Sequence, residues 1–443
     1  MTEVHQVQPG SAPPPTPPAR DGVEAQPTGT SAIRLVMLAL GVLVLGLVAG
    51  LSSVIVVLAI VVMITLHELG HFVTARSAGM KCTEFFIGFG PRIWSIHRGE
   101  TEYGIKAIPA GAYVKVLGMT NLEEVDPVDE DRTYRQKSYW RRMSVAVAGS
   151  AMHFMIALVC LFVLLVGWGV PDDDVWEVGR LAPATDGDDS PADAAGVLVG
   201  DDIVAVAGVP ITTFDDLRDA LAAQEPDDVV VLTVDRSGDL VELDVTVGDN
   251  GQGGAFLGVG PHFPSQPMGV VEAVPRTFSE FGSFSWQSMG ALADFFSPSG
   301  LGGFISQAVE TTSSSSDDAT AEDPDAAAAT EDENANRVLS IYGAARIGSQ
   351  AADTGVASLL GFLVLINIFI GIFNLVPLLP LDGGHVAVAT YERIRELLAR
   401  TNTRYHADVA KLMPLTYVVV FVLVSVGLVA LYLDILDPVN LPE

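Results

Sequence analysis

The sequence predicts a polytopic α-helical membrane protein that carries a β-hairpin region and an inserted small α/β domain. Three observations predict it. Of the 443 residues 49% are hydrophobic and only 18% charged, and the apolar residues are gathered into long runs rather than alternating. Four runs, Ile33 to Leu66, Met143 to Val170, Val356 to Leu379 and Leu412 to Leu433, reach the about 20 residues that a helix needs to cross the hydrocarbon core. Between them lie a Gly-punctuated stretch of short strand patterns and an acidic stretch that mixes strand and helix patterns.

Residues 1–32 are rich in Pro, Gly, Ala and Thr and lack bulky apolar side chains, so they are expected to form a disordered tail. Residues 33–76 form the first hydrophobic region. Its apolar run of 34 residues would be about 50 Å long as one helix. It either tilts as a single span or folds into two near Gly50-Leu51-Ser52-Ser53. Residues 77–142 read as short strands and hairpins around Phe89-Gly90-Pro91 and Pro109-Ala110-Gly111. Residues 143–170 are a transmembrane helix, and 171–260 a small α/β domain with strand runs such as Val229 to Asp235 and a helix near Thr213 to Ala223. Residues 261–310 suit amphipathic helices near a membrane. Residues 311–336 are an acidic, flexible insertion, 337–411 hold a Pro-kinked transmembrane helix with its following segment, and 412–443 are the last span and tail.

Charge orients this arrangement. Net charge is −30, and 34 of the 54 acidic residues lie between Asp172 and Asp353, beside only six Lys or Arg. Arg76 to Arg142 carries eleven Lys or Arg and Arg393 to Lys411 five more, which places both segments on the cytosolic side of a plasma or inner membrane and the acidic domain outside. The acidic excess argues against nucleic-acid partners. Cys82 and Cys160 are the only cysteines, so neither a disulfide framework nor a cysteine-based zinc site is expected.

The first run ends in Leu66-His67-Glu68-Leu69-Gly70-His71. Residues four apart share a helix face, so His67 and His71 can present two imidazoles to one tetrahedral Zn2+ while Glu68 reaches a metal-bound water as general base. Three ionisable residues in five positions, continuous with apolar sequence, are costly in lipid and are expected there for function. Catalytic zinc normally has three protein ligands. The run Asn374-Leu375-Val376-Pro377-Leu378-Leu379-Pro380-Leu381-Asp382-Gly383-Gly384-His385 places a carboxylate just past a Pro-broken apolar helix, and Asp382 is either that third ligand or part of a turn leaving the membrane.

With HELGH and the later NLVPLLPLDGGH, the chain resembles the site-2 protease family of intramembrane zinc metalloproteases, from roughly Val54 to Pro438. The resemblance implies a polytopic α-helical membrane protein with a small membrane-associated β-hairpin region and an inserted α/β PDZ-like domain. It implies zinc on His67, His71 and Asp382, with Glu68 as the catalytic base. The Gly104 to Met119 stretch, Gly111 included, resembles the family's hairpin that holds substrate in extended form. Asn374 and the Pro377 and Pro380 kinks resemble the part that shapes the substrate groove. Ala192 to Val206 resembles a PDZ module, which would bind a peptide strand or a substrate C-terminus outside the membrane. The implied partners are the lipid bilayer and single-span membrane proteins, of the anti-sigma or remnant-signal-peptide kind, cut in regulated intramembrane proteolysis. One departure stands at Ala148-Gly149-Ser150-Ala151-Met152-His153, where the family shows an AGPxxN-like sequence and this chain has Ser150 and His153. The alternative reading is a non-catalytic membrane PDZ scaffold with a structural metal site, which would need a fourth protein ligand.

Overall fold

Apolar runs fold as helices because lipid offers no partner to an open backbone. In the computed structural model, which describes residues 28–119, 123–169, 175–182, 190–249, 254–314, 339–399 and 405–436, four helices are long and apolar enough to cross a membrane. They are Ile33–Ser77, Ala148–Gly167, Val356–Asn374 and Val409–Leu436, called here the first to fourth spans. Large apolar side chains on their surfaces stay exposed, among them Val48 at 82% and Phe421 at 71%, as expected where hydrocarbon is the solvent. The expected tail and most of the acidic insertion lie outside the described residues.

The first span is one limb too many for a straight crossing. Its helix, Thr28–Ser77, is interrupted at Gly50, whose φ of 83° and ψ of 168° are not helical. The chain reverses there. A Cβ on Gly46 would lie 3.4 Å from Val54, and Arg34 donates to the Arg92 carbonyl at 2.5 Å, which a chain running straight on from Arg34 to Ser77 could not reach. The limb after Gly50 carries His67, Glu68 and His71.

Two long strands follow, β1 (Cys82–Arg98) and β2 (Thr101–Val116), paired antiparallel. Their register shows that each bends back on itself. Phe85 lies opposite both Val114 and Tyr103, while Trp94 lies opposite Ile105. The order across the sheet is thus 92–98, 101–106, 82–87, 112–116, with the last segment at one edge. Phe72, Ala75, Met80, Cys82, Val116, Tyr134 and Val145 form one buried cluster that fixes this edge against the end of the first span.

A short helix, Tyr139–Ala146, leads through Val147 into the second span. Residues 176–263 build a separate apolar core around Ile203, Leu217, Leu232 and Val245. It holds a sheet of β4 to β7 in the order β5 (Val209–Pro210), β4 (Asp202–Val206), β6 (Val229–Arg236), β7 (Asp239–Thr246), with the helix Phe214–Ala222 and the pair β3 (Glu177–Leu181) and β10 (Val259–His262); the short strands β8 (Gly248–Asp249) and β9 (Ala255–Phe256) complete it. The amphipathic helix Val270–Phe295 then packs Ala273, Phe281 and Phe284 on the second and third spans and leaves Trp286 75% exposed. Spans two and three pack on each other through Ala157, Leu161, Val364 and Ile368.

The third span ends at Asn374. Leu375 to Leu381 form consecutive turns with a cis peptide bond before Pro380, and Asp382 opens a new helix, Asp382–Ala399. The prolines thus separate two helices instead of bending one, because Pro380 has no N–H to continue the ladder. A buried ion pair, Arg142 Nη1 to Glu392 Oε2 at 2.5 Å, clamps the Asp382 helix to Tyr139–Ala146.

Candidate metal centre

Helix periodicity stacks His67 and His71 one turn apart, and the turn after the third span brings Asp382 to the same point. Their atoms form a nearly regular triangle. Nε2 of His67 and Nε2 of His71 are 3.2 Å apart, and Oδ2 of Asp382 lies 3.5 Å from the first and 3.2 Å from the second. Two ligands each about 2.0 Å from a tetrahedral ion stand about 3.3 Å apart, so this triangle has the edges that zinc requires. Among the described residues it is the one cluster of three or more His, Cys, Asp or Glu groups whose ligand atoms converge in this way.

The tautomers also fit a cation. His71 Nδ1 is 2.7 Å from the Val145 carbonyl, which can only accept, so Nδ1 carries the proton and Nε2 offers its lone pair to the centre. Asp382 Oδ2 is buried without a hydrogen-bond donor. The His71 lone pair and the Asp382 oxygen, 3.2 Å apart, repel unless a positive charge sits between them.

Gly149 provides the floor. A Cβ there would lie 2.5 Å from His71 Nε2 and 2.6 Å from His67 Nε2, so only glycine leaves the space between the imidazoles open. The sequence signal for this residue was the Ala148-Gly149 pair in the segment that departs from the family pattern at Ser150 and His153. His153 itself, 1% exposed, lies tilted against His67 with ring centroids 5.0 Å apart. Its Nδ1 donates to Asn367 Oδ1 at 2.8 Å, and Asn367 Nδ2 donates to the Leu363 carbonyl at 2.7 Å, so the third span fixes the His153 tautomer. Asn367 carried no motif that would have singled it out.

Glu68 turns from the ligands towards the sheet: its Oε2 accepts the Val114 N–H at 3.1 Å. The other expected residues are more dispersed. Gly111 is buried in β2, where a Cβ would lie 2.7 Å from the Phe89 ring, so its lack of a side chain serves the packing of the sheet turn. Asn374 closes the third span half-buried, and Pro377 is exposed in the turns that follow.

Outside the membrane spans, His385 lies one helical turn beyond Asp382, edge-on to Tyr134 with centroids 6.3 Å apart, and burial holds its imidazole below the ordinary histidine range.

Known proteins resemble this chain over most of its length. The model describing peptidase family M50 matches residues 55–419. The zinc metalloprotease Rip1 of Mycobacterium tuberculosis H37Rv is 33% identical over 415 residues, which is 87% of this chain and 97% of the relative. The zinc metalloprotease Rip1 of Mycolicibacterium smegmatis is 32% identical over 425 residues, 88% of this chain and 99% of the relative. A family match that runs from the metal helix into the last span, with relatives alignable almost end to end, makes this chain a member of peptidase family M50.

Proposed function

We propose that the chain is a site-2-type zinc metalloprotease that hydrolyses peptide bonds of single-span membrane proteins within the bilayer, with His67, His71 and Asp382 as zinc ligands and Glu68 as the base. The observation that carries this is the triangle of 3.2, 3.2 and 3.5 Å edges, three ligands with Glu68 adjoining them. Three protein ligands leave a fourth position for chemistry, as catalytic zinc requires.

A zinc ion held there supplies Lewis acidity that polarises the scissile carbonyl and acidifies water. The protein's own groups do the rest. Glu68 takes the proton of the attacking water and returns it to the leaving amine. His71, braced by the Val145 carbonyl, and Asp382, held by the Arg142–Glu392 clamp, keep the ligand geometry rigid. The substrate lies extended along the free edge of residues 112–116, since strand addition satisfies backbone groups that a helix in lipid would otherwise have to expose on unwinding. Gly111, Asn374 and Pro377 border this path.

The basic segments around the sheet and after Asp382 support an active site towards the cytosol, with residues 176–263 as an extracytoplasmic PDZ-like unit that recognises the C-terminus of a trimmed substrate. Its small size and independent core support that assignment. The substrates are anti-sigma-type regulators or remnant signal peptides.

Cleavage of tagged single-span membrane proteins in detergent, with zinc measured alongside, tests the assignment. Glu68→Ala should abolish cleavage and keep zinc, and Asp382→Asn should lose both. Cleavage by Glu68→Ala would sink the mechanism, and full zinc in Asp382→Asn would dismiss Asp382 as a ligand.

A further inference from the structure

The Val114 amide donates to Glu68 from the free edge of the sheet. In antiparallel pairing, successive residues turn their N–H and C=O alternately towards and away from a neighbouring strand. Leu117 donates inward to the Lys81 carbonyl at 3.0 Å, so the odd-numbered residues of this edge face the sheet. Ala112, Val114 and Val116 therefore present their backbone groups outward. The Val114 N–H confirms the phase, because it reaches Glu68 Oε2 at 3.1 Å and not Phe85, its register partner across the sheet.

We propose that Val114 sets the register of the bound substrate strand, and that its N–H passes from Glu68 to the substrate backbone as that strand docks. The inference rests on the proposed strand addition and specifies it. An outward-facing residue of an antiparallel edge offers its N–H and C=O to the same residue of an incoming strand. Of the three outward residues, Val114 is the one in contact with the base. A general base must stand within hydrogen-bond reach of the proton it takes, directly or through one water. The substrate residue opposite Val114 is therefore at, or immediately beside, the scissile bond. Docking also withdraws the only hydrogen-bond donor that Glu68 has among the described residues.

The edge is fixed well enough to set a register. Val114 packs its side chain against the buried cluster of Phe72, Ala75 and Val116, and Gly111 anchors the start of the segment on Phe89. The side chain is not the contact the substrate reads; the backbone is. The amide is therefore followed directly.

The test uses the full-length protein in detergent, zinc-loaded, with a tagged single-span membrane protein that the wild type cuts. In Glu68→Ala, which binds without cutting, hydrogen exchange is followed at the amides of 112–116. Without substrate, Val114 should exchange faster in Glu68→Ala than in wild type; with substrate, Ala112, Val114 and Val116 should all slow. The substrate should also bind roughly three- to tenfold more tightly to Glu68→Ala than to Glu68→Gln, whose amide oxygen can still accept from Val114. Protection of Ala112 and Val116 with Val114 still fast would overturn the register and leave strand addition standing. No protection anywhere along 112–116 would remove strand addition itself, and this inference with it.

Discussion

Gly149→Ala separates a metal cradle from an ordinary helix contact. The added methyl would stand 2.5 Å from His71 Nε2 and 2.6 Å from His67 Nε2, whereas ordinary contact begins at 3.4 Å. Each imidazole must retreat by roughly 0.8 Å, several times the about 0.2 Å that zinc–ligand distances tolerate. Both ligands cannot move that far and keep one ion between them, so zinc affinity should fall at least about a hundredfold, or about 2.7 kcal/mol. Local helix stability should move the other way, since alanine in a helix interior is favoured over glycine by about 1 kcal/mol. The assay is zinc content after dialysis against a graded chelator, beside the thermal unfolding of the metal-free protein. Gly427→Ala in the fourth span, where nothing lies within 4 Å of the added carbon, is the control: it should share the small gain in helix stability and leave zinc affinity unchanged. Gly149→Ala with wild-type zinc affinity would refute the placement of the metal between the imidazoles. Loss of zinc through collapse of the metal-free protein would show that the glycine serves packing alone.

Removing Glu392 leaves Arg142, 8% exposed, as a buried unpaired charge, which should cost about 3–5 kcal/mol and loosen the helix that begins at Asp382. A fall in unfolding midpoint and zinc affinity for Glu392→Ala, with recovery of the midpoint in the double variant Arg142→Met/Glu392→Leu, would establish the clamp; an unchanged midpoint would dismiss it. In the 176–263 unit, Asp201 accepts two hydrogen bonds from Arg236, at 2.8 and 2.7 Å, and this partner holds its carboxyl below the ordinary aspartate range. A depressed folded-state pKa stabilises above the unfolded value and loses that contribution as pH falls through the folded one. Asp201→Asn should therefore speed hydrogen exchange of this unit at neutral pH and match the wild type once the medium is acid enough to protonate Asp201. A difference that persists undiminished in acid would mean the contact is not electrostatic.

The parts of this protein legible in the sequence are those whose geometry is local. His67 and His71 meet because any α-helix brings residues four apart together, and the apolar runs mark spans because lipid permits little else. Asp382 needed more: its Asp-Gly context fits a turn equally well, and only the return of the chain past the third span puts its Oδ2 within 3.5 Å of both imidazoles. The reversal at Gly50 was one of two readings that the length of the first run allowed, and the Arg34 to Arg92 contact that shows it joins residues 58 positions apart. Arg142 and Glu392 are separated by 250 positions, and no pattern in either segment names the other.

What stayed hidden follows from how helices associate in a membrane. Hydrocarbon outside a span is as apolar as leucine within it, so packing depends on small residues that let backbones approach. Gly70 does this where the first span meets Met152 and the Ala148 carbonyl, Gly371 where the third meets Phe154, and Gly149 where the second passes beneath the imidazoles. Glycine has no side chain to contribute to a hydrophobic face, so periodicity passes over the positions that set the spacing of the site. The backbone amide of Val114 is hidden for a related reason. Its partner Glu68 is chosen by the phase of a sheet edge, and a shift of one residue along that edge would exchange it for an inward-facing group. The side chains proposed for catalysis announce themselves in sequence by their chemistry; the groups that space and align them do so by the absence of a side chain or by the direction of an amide, which only the assembled fold makes visible.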